Sequence, residues 1–493
     1  MKLKNKRTQK TTQLTIHLIS IFILMYIILA ILVGSSNKPV EAVSSTVYVS
    51  NYDELQAAID GQEEGSNIIL ANDITIYKNI VIDKNITLNG NFHTIFMEYD
   101  SNQTDEDRAN MIYIGNGANV TIENITLNGR FANNTGNCIG IRGKDSDNTS
   151  NVLIRNSTVI RAFKQGICLD ENSNITILNS NINENNGAAI FGKGINVNIY
   201  IENTNIQRNG WNNPQRDLGL EGTIWSLTDE ELEETHLPNR ENNTSAIVLP
   251  HNTQLQMLNS YVMNNGGHGI EVGAYWGQNQ GSKAEIIGCY IGHNNWSGVF
   301  SEQDSSRVII SGGWIRYNNN AGIELDRCSS DSKIENAEIF GNGYTGISLR
   351  NNSQVTVTGC NITVMGQIQH TAVLNREWTT VENDAHGIEI FDNGICTLNG
   401  TTIKTEIHNK YVLPPHNIGT DQYDPTNSDI SSIHKYPYNG KLDVCSIAIA
   451  TENDITVAPL VINAGCTIEG QINLDSDTAY IYTTEVTRTN CLV

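Results

Sequence analysis

Carboxylates with a shared strand spacing gather between residues 265 and 390. After a recurring glycine, aliphatic residues alternate with others, so Glu271, Glu302, Glu324, Asp326, Ser348, Arg350 and Glu389 point outward, with Phe300 among them. If these strands stack, Glu302 and Asp326 stand on neighbouring coils, about 5 Å apart, and Glu271 and Glu324 two coils apart, about 9–10 Å. Such spacings bracket those of the paired carboxylates that hydrolyse glycosides with retention or inversion. Close like charges raise one pKa and set an acid beside a base. Glu302, Asp326, Glu324 and Glu271 are therefore the candidate catalytic residues. The same carboxylates could instead form a solvated acidic face, or hold a hard cation such as Ca2+.

Rings and cations surround this stretch. His268 and His386 each precede a Gly-aliphatic strand. Trp276, Trp296, Trp314, Tyr317 and Tyr344 lie near it in sequence, and Trp211, Trp225 and Trp378 fall in or beside insertions. Flat rings with a polar edge suit sugar faces. His268, Trp276, Trp296, Tyr317, Tyr344 and Arg350 are the expected substrate contacts. Arg350, Arg327 or Arg316 could neutralise an acidic sugar, or simply pair with Asp326 and Glu324.

A repeat must position these groups. One pattern ends in Asn or Gly and reads Ile122-Glu-Asn124, Ile154-Arg-Asn156, Ile177-Leu-Asn179, Ile201-Glu-Asn203 and Met257-Leu-Asn259. It continues as Ile286-Ile-Gly288, Ile310-Ser-Gly312, Ile334-Glu-Asn336 and Val357-Thr-Gly359, with uninterrupted steps of 23 or 24 residues. A second pattern follows: Gly166-Ile-Cys-Leu169, Gly269-Ile-Glu-Val272, Gly322-Ile-Glu-Leu325, Gly346-Ile-Ser-Leu349 and Gly387-Ile-Glu-Ile390. Short alternating segments are strand-like, and Asn and Gly tolerate left-handed turns. So short a repeat cannot bury its own apolar face, whereas stacked coils can. Asparagines at one turn of successive coils can form a hydrogen-bonded ladder. The pattern predicts an all-β parallel β-helix of roughly ten to twelve coils, about 50–55 Å long. Residues 52–59 predict a short capping helix, with Asp53 as its cap.

These coils resemble the right-handed parallel β-helix repeats of the pectin lyase-like superfamily. The opening Val47-Tyr-Val-Ser-Asn-Tyr-Asp-Glu-Leu and Ile68-Ile-Leu-Ala-Asn-Asp-Ile resemble the N-terminal cap of bacterial surface β-helices, including pectate lyase-like domains. The resemblance covers about residues 46–480 and implies the fold. Its members include lyases, hydrolases, epimerases, tailspikes and adhesins, so activity must be argued from the site. Gly267-His268-Gly269 resembles one polygalacturonase motif, but that family's Asn-Thr-Asp, Asp-Asp and Arg-Ile-Lys motifs are missing.

Extra residues interrupt the repeat near 209–243, 366–385 and 404–445, always between the first pattern and the Gly-aliphatic strand. They should leave the rod at one edge, and the first two would wall a shelf roughly 24 Å long. The expected organisation is a leader at 1–42, a cap and first strands at 43–90, the β-helix at 91–480 and a tail at 481–493. The leader has Lys2, Lys4, Lys6, Arg7 and Lys10, then an apolar run from Leu18 to Val33, the layout of a cleaved signal peptide or an uncleaved anchor. Either places the rest outside the cytoplasm.

Net charge is −22; residues 1–42 contribute +5, leaving −27. That disfavours nucleic acid as a partner and leaves the membrane only through an uncleaved leader. The nine cysteines include no CxxC, so metal-finger spacing is absent. Cys289 and Cys360 fill the small slot after the turn, as packing residues. The expected function is an extracellular polysaccharide-binding protein that cleaves its ligand by paired carboxylates. A non-catalytic adhesin and a calcium-dependent lyase or epimerase are the alternatives.

Overall fold

The turn residues of the repeat share one backbone conformation. Asn124, Asn156, Asn179, Asn203, Asn259 and Asn336 have φ between 46° and 54°, and Gly288, Gly312, Gly359 and Gly400 between 53° and 68°. Only Gly, and Asn among side-chain-bearing residues, adopt this left-handed region routinely. It turns the chain from one strand into the next. The small residue that follows faces inward: the backbone N–H of Ser157 donates to Ser180 Oγ, Ser180 to Thr204 Oγ1, Thr204 to Ser260 Oγ, and Ser260 to Cys289 Sγ. Cys289 and Cys360 occupy this slot and are buried.

The computed structural model describes residues 45–469 except 62–63, 99–109, 131–135, 211–243, 274–280, 319, 329–331, 365–367, 371–384, 392, 406–408, 414–433, 438–443 and 451–459. Beyond 469 it describes the strands Ile472–Leu474, Ile481–Thr483 and Thr487–Thr489. The leader thus lies outside the described residues. Among them, three parallel sheets run along the unit Thr46–Val493: sheet A with fifteen strands, sheet B with fourteen and sheet C with thirteen. Strands visit the three sheets in turn, so each coil contributes one strand to each, the arrangement of a parallel β-helix. The coils outnumber the ten to twelve expected, because the first and last ones lack the Asn/Gly signature. Strands at 481–483 and 487–489 also pair with the preceding coil, so sheets A and B extend into the expected tail.

Alternation along each strand builds the core. In sheet C one inward column runs from Ile80, Ile112 and Ile139 to Ile347, Ile388 and Ile447 and on to Ile472; the twelve residues from Ile80 to Ile447 are isoleucine except Val299, and all twelve are buried. Each such side chain contributes about 2 kcal/mol of apolar burial. A second, polar column lies inside the turn from sheet B to sheet C. Asn185, Asn209, Asn265, Asn294, Asn318 and Asn342 are buried, and each Nδ2 donates to the next Oδ1 at 2.9–3.2 Å. This ladder explains the glycine of the second pattern. A Cβ at Gly298 would sit 2.7 Å from Asn318 Nδ2 and 2.7 Å from Gly322 O; Gly269 and Gly322 meet the same obstacles one coil away.

The helix α1 (Tyr52–Gly61) buries Leu55, Ala58 and Ile59 at the first coil. Its cap is Asn51, not Asp53: Asn51 Oδ1 accepts the Glu54 N–H at 3.0 Å, and Glu54 reaches back to the Ser50 N–H. Asp53 lies in the first turn, where a negative charge suits the helix dipole. All three insertions connect a sheet B strand to a sheet C strand, as the spacing predicts. Short segments of the later two pair with each other: Ile368–His370 runs parallel to Asn409–Leu413, which pairs antiparallel with His434–Pro437.

Candidate functional site

The outer face of sheet C carries two columns, two residues apart along each strand. The first runs Glu271, Phe300, Glu324, Ser348, Glu389. In the second, Asp326 pairs with Arg350, and Glu302 is the next residue after the paired Ser301. Two strand steps separate Glu271 from Glu324, ~9.6 Å, with Phe300 between them. The register places Glu271 and Glu324 in one column, and extending it one residue past Ser301 and Leu325 sets Glu302 beside Asp326.

Each carboxylate has its own partners. Ser245 Oγ donates to Glu271 Oε2 at 2.6 Å, and Ser297 Oγ to Glu324 Oε2 at 2.7 Å. These two pairs have the same relation, two coils apart. Asn320 Nδ2 adds a donor to Glu324 Oε2 at 3.2 Å. Arg327 approaches Glu302 at 3.8 Å and Asp326 at 3.4 Å, and Asn351 donates to Asp326 at 2.7 Å. Burial raises the carboxyls of Glu271, Glu324 and Glu302; the serines oppose it in the first two, and neighbouring carboxylates add to it in the last two. Acids and environments of two kinds therefore stand on one rigid sheet, which is the condition for dividing acid and base roles.

The far end of the shelf holds a group that the spacing alone left unassigned. Glu389 is fully buried; it accepts from Tyr344 Oη at 2.6 Å and Ser348 Oγ at 3.1 Å. Arg350 lies 3.9 Å and His386 3.4 Å from its oxygens. Tyr344 and Arg350 thus do converge on the shelf. Outward alternation had flagged Glu389, but its four partners come from two coils, which a single strand does not reveal. Ser245, Ser297 and Asn320 were missed for the same reason.

His268 is in the wall of the shelf. It stacks on Phe300 at 4.4 Å and meets Trp296 edge-on at 5.0 Å. Its Nδ1 accepts the Ser297 N–H at 3.1 Å, and burial pushes its pKa down to about 3, so the ring is neutral with its proton on Nε2. It orders this wall as a neutral ring. Trp296 is half-buried beside it.

Tyr317 is a correction. It is buried at the turn after sheet B, with φ 59°, packed against His293 and Phe340 and near Arg316. A left-handed turn there swings the ring away from the shelf. Trp314 likewise belongs to sheet B, where its indole N–H donates to Glu338. Trp276, Trp211, Trp225 and Trp378 lie outside the described residues. Among the described residues no three His, Cys, Asp or Glu side chains converge to hold a metal.

No curated protein matches the chain. Among solved structures it is similar to the A-module of the Azotobacter vinelandii mannuronan C-5 epimerase AlgE4, at 14% identity and TM-score 0.44 over 91% of this chain and 98% of that one. It is also similar to the catalytic domain of a GH87 alpha-1,3-glucanase in complex with nigerose, at 12% identity and TM-score 0.35 over 76% and 67% of the two chains. A third is ORF18 of Geobacillus virus E2, at 12% identity and TM-score 0.39 over 75% and 58%. Residues 235–403 match the family model described as a right handed beta helix region. That segment lies within a continuous ladder of parallel strands, and the chain folds as a right-handed parallel β-helix.

Proposed function

We propose that the sheet C shelf binds a polysaccharide and hydrolyses it, with Glu324 as general acid and Asp326 as general base. The observation that carries this is their placement. They are two residues apart on one strand, ~6.6 Å, both outward, in unlike surroundings. Glu324 is desolvated, which favours the protonated carboxyl over the opposing pull of its serine, and Ser297 and Asn320 hold it in place. Asp326 faces Arg327 and Asn351. The separation leaves room for a water molecule, as inversion requires. Glu324 gives its proton to the departing glycosidic oxygen; Asp326 takes one from the water that attacks the anomeric carbon. The leader's basic and apolar segments support action outside the cytoplasm.

The alternative with its own observation is elimination or epimerisation at the far end, where Tyr344 and His386 stand beside Arg350 and Glu389. One experiment separates the two. The chain is incubated with neutral and acidic polysaccharides, and reducing ends and ultraviolet absorbance are followed together. New reducing ends without an ultraviolet signal are expected. Both signals together would replace hydrolysis by elimination, and binding without either would leave epimerisation or adhesion in its place.

A further inference from the structure

Sheet A carries a recess that the shelf does not use. It has a volume of about 320 Å³ and spans four coils, from Asn174 to Glu285. Three strand spacings give it a length of ~14 Å. The register explains how it arises. A row of outward asparagines bonds from coil to coil, Asn151 to Asn119, Asn174 to Asn151 and Asn198 to Asn174. Gln254 and then Lys283 come next in that row, and the ladder stops. In the adjacent row Tyr200 is followed by Gln256 and Glu285. Among the described residues neither glutamine amide bonds to another side chain, so two planar donor-acceptor groups face the recess beside a half-buried phenol ring. The ring is held in place, since Tyr200 Oη donates to Glu202 at 2.9 Å. Lys283 and Glu285 pair at 3.5 Å and cancel in charge.

We propose that this recess is a second carbohydrate site, for a short neutral oligosaccharide. Sugar hydroxyls both donate and accept, as amides do, and a pyranose face stacks on an aromatic ring. A paired Lys–Glu rim with Glu202 nearby offers an anionic sugar no net attraction. The volume is at the lower end for a small-ligand site. The site needs neither Glu324 nor Asp326, so it holds a polymer without processing it, on a different sheet from the shelf.

The test is calorimetric titration of the full chain, carrying Glu324→Gln, with cellotetraose, maltotetraose and chitotetraose, and with tetragalacturonate as the anionic probe. At least one neutral probe should bind, and Tyr200→Ala should weaken it tenfold or more. Gln256→Ala, at an exposed position that leaves the fold intact, should weaken it about threefold or more. Tyr200→Ala in the otherwise unaltered chain should leave reducing-end release from short substrates unchanged. Failure of the shelf would remove that release and spare this binding. The proposal is overturned if no neutral probe binds, if the anionic probe binds more tightly, or if both recess variants bind as the parent does.

Discussion

Glu324 and Glu271 show how surroundings set the chemistry of a carboxyl. Both are tied to a serine of the preceding coil, and burial holds both toward the protonated form. A general acid raised in this way keeps its proton at higher pH, so turnover should fall on the alkaline side as Glu324 ionises. Glu324→Gln should abolish that alkaline limb; a limb that survives in the residual activity would place the acid elsewhere. Stability follows from the same sign. A carboxyl whose folded pKa lies above its unfolded value of ~4.3 contributes stability below that pH, and loses it as pH rises to the folded value. Glu271→Gln should therefore melt about 2 °C above the parent at pH 8 and level with it at pH 4. An equal difference at both pH values would show that ionisation is not the cause. Tyr317 marks where nearness in sequence misled: its side chain follows a left-handed turn, not the strand that precedes it.

At the scale of the element, the turn and the ladder specify each other. Asn294 donates to Asn318 and to Val262 O, and accepts from the backbone and side chain of Asn265. Asn294→Ala should cost ~2–4 kcal/mol, because several buried groups lose partners at once. Gly298→Ala should be destabilising by ~1–3 kcal/mol, since the facing atoms are a ladder amide and backbone. Urea melts of the two variants check both; a change within ~0.5 kcal/mol would mean that the coils can shift to accommodate them. Much of this was legible in sequence because the turn from sheet A to sheet B, with φ near 50°, is filled again and again by Asn or Gly. The cap of α1 was less so. Asn51 and Asp53 are both good capping residues, and only the position of the first turn decides between them.

Across the whole molecule, the rod was readable from its period and the shelf only in outline. Period fixes which residues share a column, and the Glu271–Glu324 relation follows directly. It does not show that Arg327 stands between Glu302 and Asp326, or that four partners meet at Glu389, because those contacts depend on side-chain reach between coils. The end coils escaped notice for a related reason: they keep alternation but not the Asn/Gly turn. Packing also governs the thiols. Burial pushes Cys138 and Cys168 up to about 12 and Cys289 to about 11, and raises Cys360 and Cys396 as well. None of the seven described cysteines is in a disulfide. Six of the nine cysteines are buried, so a thiol reagent at pH 8 should label at most three before unfolding; rapid labelling of more would contradict a tightly stacked rod. The most direct measurement of the central claim compares turnover and retention for the parent chain, Glu324→Gln and Asp326→Asn on a polysaccharide that the parent cleaves. The account predicts turnover at least 100-fold lower in each variant, with retention on the immobilised polymer within about threefold of the parent. Variants that cleave as fast as the parent would contradict it.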